Sequence, residues 1–138
     1  MNNYEVGLVL SCMDYRLIDH VVNFLKNDVH VDTFDFTVLA GASLGFNQNK
    51  YLTWPASFKN HVDLAIKLHK IKKVVVIDHE DCGAYKAFYP EVKDNIPRED
   101  EYHVKHIKKF IKSMEKMYPD LIYAGYLMRL DGKAMKVV

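Results

Sequence analysis

Four short apolar runs, separated by stretches of helical period, constrain this chain more than any other feature. "YEVGLVLS" (Tyr4 to Ser11), "FDFTVLA" (Phe34 to Ala40), "KVVVID" (Lys73 to Asp78) and "LIYAGYLM" (Leu121 to Met128) are short and nearly continuous in apolar residues, many of them β-branched. Such runs suit strands covered on both faces, since a sheet with one wet side would alternate apolar and polar. Between them the period changes. Leu17, Ile18, Val21, Val22 and Leu25 make one helical stripe, and Phe58, Val62, Ala65, Ile66 and His69 a second. Val104, Ile107, Phe110, Ile111, Met114 and Tyr118 make the third and longest. Strands alternating with helices imply right-handed crossovers and a mainly parallel sheet. The closing "AMKVV" can pair back on the fourth run through "LDGK", because Asp131-Gly132 favours a tight hairpin. The expected class is α/β: a single domain over residues 1–138, with a mostly parallel β-sheet of about five strands flanked by helices. "GFNQNKYLTWPAS" (Gly45 to Ser57) and "YPEVKDNIPRED" (Tyr89 to Asp100) read as long loops.

Bulk properties narrow the function classes. A chain of 138 residues suits one domain with a real core. A formal net charge of +1 gives no electrostatic case for a nucleic-acid or membrane binder. No apolar run approaches the ~20 residues that span a bilayer. "MNNYEVGLVL" lacks the basic start and small-residue cleavage site of a signal peptide, so the expected compartment is the cytoplasm. A reducing compartment argues against a Cys12–Cys82 disulfide and leaves both thiols wanting another role. Lys105, Lys108, Lys109, Lys112 and Lys116 read as the solvated face of the third helix. His20, His61, His103 and His106, also in helical segments, read as surface residues.

The strand ends hold the chemistry. In open α/β sheets ligands bind at the carboxyl ends of strands. The first run ends in "SCMDYR", with Cys12, Asp14 and Arg16, and the third ends in "HEDCG", from His79 to Gly83. If these strands are neighbours, two thiolates and an imidazole converge. A Cys₂His set leaves the fourth tetrahedral position of zinc open, and soft sulfur with imidazole favours zinc over magnesium or calcium. Two other readings exist: small core cysteines with a satisfied loop histidine, or a nucleophilic cysteine with Arg16 as anion binder. The second lacks the Cys-x5-Arg interval and glycine-rich cradle of cysteine phosphatases. In extended backbone, residues i and i+2 face the same way, so Asp14 and Arg16 can pair beside the metal. Asp14 then either orients a zinc-bound water or occupies the fourth position itself. Glu80 adds an acid next to the ligands. Tyr15 and Tyr85 flank them, and Ser43 and Gly83 are further neighbours. Tyr51 and Trp54 read as ordinary loop packing.

Cys12-Met13-Asp14-Tyr15-Arg16 together with His79-Glu80-Asp81-Cys82-Gly83 resembles the paired signature of the β-class carbonic anhydrases. "CMDYRL" with "HEDCG" is more similar to the short, archaeal-type branch than to the plant type. The resemblance runs through "HVDLAIKLHKIKKVVVIDH" to the closing "IYAGYLMRLDGK". It implies zinc on Cys12, His79 and Cys82, and a catalytic dyad of Asp14 and Arg16. It implies reversible hydration of carbon dioxide to bicarbonate by zinc-bound hydroxide, in a homodimer or higher homo-oligomer with sites at the subunit interface. Relatives with the same ligands hydrolyse carbonyl sulfide or carbon disulfide, and a non-catalytic zinc-binding relative is a further alternative. Where the family carries an Arg/Asn-Ala-Gly stretch after the second strand, this chain has "LAGASLG", with Leu39 at the polar position.

Overall fold

A computed structural model describes residues 5–138. Five strands form one sheet: β1 (Gly7–Ser11), β2 (Phe34–Val38), β3 (Lys73–His79), β4 (Ile122–Met128) and β5 (Ala134–Lys136). Their order is β2-β1-β3-β4-β5. The first four run parallel, and β5 turns back antiparallel on β4, so the sheet is mixed. This is the mostly parallel architecture expected, including the hairpin at Asp131-Gly132. Tyr4, the expected start of the first strand, lies outside the described residues.

The helices α1 (Ile18–Asn27), α2 (Ser43–Asn47), α3 (Thr53–His69), α4 (Gly83–Phe88) and α5 (Ile96–Met117) supply the covering layers. Alternate residues of the central strands feed two cores. Leu8, Leu10, Val74, Val76 and Leu127 pack with α3 and α5 through Phe58, Val62, Ile107, Phe110 and Met114. Val9, Val75, Ile77 and Met128 face the other way and pack with Leu17, Val21, Phe24 and Leu25, at and just before α1. Both sides of β1 and β3 are thereby dry, which explains why their sequences do not alternate. At Gly125 of β4 the sheet meets α5 so closely that a Cβ would lie 2.3 Å from Ile107 Cγ2.

Two expectations need correction. The supposed loop from Gly45 to Ser57 contains most of α2 and the start of α3, and its Tyr51 and Trp54 rings stack at 4.7 Å. The supposed loop from Tyr89 to Asp100 contains a short 3₁₀ turn (Pro90–Val92) and the first turn of α5. There Asn95 caps the helix by accepting the Arg98 backbone N–H, with Pro97 in the first turn. Proline at that point removes no needed hydrogen bond, so it marks a helix start.

Candidate metal centre

Parallel pairing sets Ser11 of β1 level with Ile77 of β3, so both chains leave the sheet at the same edge. Cys12 follows β1 directly, His79 closes β3, and Cys82 immediately precedes α4. The three side chains converge: their ligating atoms lie within 4.8 Å of one another. Cys12 Sγ and Cys82 Sγ are 4.0 Å apart, too far for a disulfide and near the roughly 3.8 Å expected of two sulfurs on one tetrahedral zinc. His79 donates from Nδ1 to the Glu80 carbonyl at 2.7 Å, which turns its other nitrogen towards the sulfurs. That Nε2 is buried and has no hydrogen-bond partner among the described residues. A buried ring nitrogen without a partner is costly in an apolar setting, and a cation is what its lone pair lacks. The donor set fits a metal ion.

The hydrogen bond from Cys82 lowers the Cys12 thiol, to about 4, with His79 assisting, while the same contact and burial raise Cys82. The Gly41 backbone N–H also donates to Cys12 Sγ at 3.4 Å, so "LAGASLG" supports the site through its backbone.

Asp14 and Arg16 pair as their spacing suggests. Arg16 makes four hydrogen bonds to the Asp14 carboxylate, one from its backbone N–H and three from its guanidinium, the shortest 2.7 Å. Those bonds hold the Asp14 carboxyl down to about 2. Asp14 Oδ2 lies 3.7 Å from His79 Nε2, at the rim of the cluster. Arg16 also reaches Asp81, at 3.0 Å to Oδ2 and 2.9 Å to the carbonyl, and Lys86 closes on the same carboxylate. Asp81 takes a left-handed φ of 54°, between His79 and Cys82. The residues bound an open depression of about 560 Å³ whose walls include Met13, Tyr15, Ala40, Gly83 and Lys86. A larger hollow, about 640 Å³ beside Tyr89, Tyr102 and Lys105, holds none of these groups.

Behind Cys12, His79 and Cys82 lies a buried polar chain that the sequence reading missed. Asp78 accepts from Ser43 N at 3.1 Å, Ser43 Oγ at 2.8 Å and Tyr85 Oη at 2.6 Å. His103 Nδ1 lies 2.8 Å from Asp78 Oδ2, and its Nε2 lies 2.8 Å from Glu99 Oε2. Glu99 Oε2 in turn accepts the Cys82 backbone N–H at 3.2 Å. Burial pulls the His103 ring down, but the two carboxylates outweigh it and raise it to about 9. His103 is therefore fully buried, not the surface residue expected, and His106 is half-buried against Tyr89 and Asn47. Tyr85 and Ser43 belong to this chain, while Tyr15 stands exposed at the mouth. Glu80 accepts from Leu130 N and Arg129, on the β4 side of the cluster. The signals were present: Asp78 is an acid inside an apolar run, and Glu99 and His103 continue the α5 stripe at helical spacing.

A mostly parallel sheet whose edge gathers Cys, His-x-x-Cys and an Asp–Arg pair defines a carbonic anhydrase-like α/β protein with a candidate metal centre. The chain belongs to the family described as "Putative carbonic anhydrase", which matches residues 2–138. A Rickettsia bellii protein described as uncharacterized is 35% identical over 131 residues, covering 94% of this chain and 80% of that one. A second uncharacterized protein, from Rickettsia conorii, is 34% identical over the same length, with 94% and 70% covered. In fold, the chain is similar to a tetrameric β-carbonic anhydrase of Sordaria macrospora, with a TM-score of 0.66 at 11% identity, covering 98% of this chain and 81% of that one. It is likewise similar to the Aspergillus fumigatus β-carbonic anhydrase CafD, with a TM-score of 0.61 at 11% identity, covering 99% and 91%.

Proposed function

We propose that this chain is a zinc enzyme that interconverts carbon dioxide and bicarbonate. Cys12, His79 and Cys82 hold the ion, and Asp14 and Arg16 act beside it. The convergence of two sulfurs with a buried, unpartnered imidazole nitrogen carries this reading. Bound there, zinc would supply a Lewis acid that brings the pKa of a bound water towards ~7.

The chain's own residues do the rest. Gly41 and the Glu80 carbonyl aim Cys12 and His79. Arg16 engages both oxygens of Asp14, which keeps the carboxylate ionised and fixed at the rim instead of free to swing inward. So held, Asp14 accepts a hydrogen bond from the reacting water and orients its lone pair towards the substrate carbon. Asp81, itself held by Lys86, pins the far side of Arg16, so the pair keeps its place when substrate enters.

Stopped-flow carbon dioxide hydration tests the reading. The expected result is a rate above buffer near neutral pH, lost on chelation and restored by zinc. No rate at full zinc occupancy would end the proposal.

The active form we propose is a homo-oligomer in the cytoplasm. The edge strand β2, paired on one side only among the described residues, shows Phe36 and Val38 to solvent at 42% and 43% exposure, a surface suited to a second copy. A monomer by light scattering would remove this part, and recovery of the protein outside the cytoplasmic fraction would remove the compartment.

A further inference from the structure

Both motif ligands of the His79–Cys82 loop are tied to one buried brace. At one end Asp78, the residue before His79, is gripped by Ser43, Tyr85 and His103. At the other end Glu99 holds the backbone N–H of Cys82. His103 joins the two carboxylates at 2.8 Å on each side. Asp78, Glu99 and His103 are all buried, at 1% exposure or less. The brace runs from β3 to α5 and back to the start of α4, so it spans the loop from behind. Glu99 Oε1 has no partner among the described residues, so this buried carboxylate is committed to the loop through Oε2 alone.

We infer that Glu99 is a positioning residue for the metal centre: by holding the Cys82 N–H, and being held by His103 and Asp78, it fixes where the Cys82 sulfur points. The inference rests on the zinc reading above. An acid in the first turn of a helix is ordinarily favoured, but there it faces water; Glu99 is fully buried, and burying two acids beside a core is costly unless each is paired, so its partners account for its place. Outer partners that orient ligands without touching the ion commonly change metal affinity by about 10- to 100-fold when removed. Hydrogen bonding to a backbone amide next to a ligand is such a role, because the peptide plane sets the Cα–Cβ direction of Cys82.

The test is zinc affinity by chelator competition, with the thiolate-to-cobalt absorption of the cobalt-loaded protein as a second readout. Glu99→Ala is expected to lower zinc affinity about 10- to 100-fold and to shift the cobalt spectrum. Glu99→Gln keeps an oxygen for the Cys82 N–H and is expected to recover most of both. A merely structural Glu99 would lower the thermal stability of the metal-free protein in the alanine variant while leaving affinity and spectrum at wild-type values. That result overturns the inference. If Glu99→Ala does not fold, His103→Asn decides: it leaves Glu99 in place without its anchor and is expected to weaken zinc binding severalfold. Wild-type affinity and spectrum in a folded His103→Asn protein overturn the inference equally. Failure of the wild-type protein itself to take up zinc would instead strike the proposed function.

Discussion

Raising the pH from neutral to mildly alkaline should remove a defined share of this protein's stability, and His103 is the group responsible. Its ring sits between Asp78 of β3 and Glu99 of α5, with the Tyr85 ring of α4 centred 3.8 Å away. The two carboxylates favour its charged form strongly enough to overcome burial, so folding raises its pKa from 6.5 to about 9. In the unfolded chain the ring loses its proton first as pH rises. The stabilisation is therefore complete below pH 6.5, declines through the interval, and is gone above about 9. Each pH unit across that window corresponds to about 1.4 kcal/mol, or roughly 3 kcal/mol in total. Urea unfolding of the zinc-loaded protein between pH 6 and 10 measures the slope. Subtracting the slope of His103→Asn removes the contribution of thiols and tyrosines. Nitrogen chemical shifts of the imidazole ring give an independent reading in the wild-type protein, with both nitrogens expected to remain protonated at pH 8. A ring that titrates at or below its ordinary value, or equal slopes in the two proteins, would refute the charge assignment.

Three further outcomes are expected. Asp14→Asn should leave zinc content and fold intact but cut the rate of carbon dioxide hydration roughly 10²-fold or more, because a neutral amide no longer offers the anionic acceptor at the rim; stopped-flow kinetics decides, and an unchanged rate would remove Asp14 from the mechanism. Gly125→Ala should lower the unfolding free energy by about 1–3 kcal/mol, since its methyl group meets Ile107 Cγ2 at 2.3 Å, and an unchanged urea midpoint would mean that α5 yields freely. Removing the metal with a chelator should make Cys12 and Cys82, 4.0 Å apart, sensitive to mild oxidant, whereas the zinc-loaded form keeps both thiols on titration; equal loss in the two forms would separate the cysteines from the ion.

The sheet was legible because its central strands are buried on both sides, and burial writes itself directly into runs such as "KVVVID". The convergence of Cys12, His79 and Cys82 was legible for the same reason: once the strands are parallel neighbours, residues at their ends must share an edge. The loops were harder. The α2 helix is only five residues long and "SLGFN" has too few turns to display a period. The start of α5 was hidden by the proline and charge of "NIPRED", although Asn95 and Pro97 are together a helix-start signal. The buried brace escaped because charge was equated with exposure. Glu99 and His103 lie on the inward stripe of α5, and only their partners on other elements make that position tolerable. Asp81 was in plain view within "HEDCG", yet nothing local indicates that its carboxylate turns back to Arg16.

Cys12 and Cys82 are 70 positions apart along the chain. On the zinc reading, one ion shared between them closes a lasso that encloses β2, α3 and all of β3. Closing so long a ring costs little more than closing a short one, yet it must wait until β1 and β3 have found their alignment, since a slip of one residue would turn the ligand-bearing ends to opposite faces. The ion thus acts as the final stitch, drawn through cloth already woven. Its grip adds to stability by mass action with the free metal, so the same polypeptide would tolerate heat and proteases better in a zinc-replete cell than in a starved one.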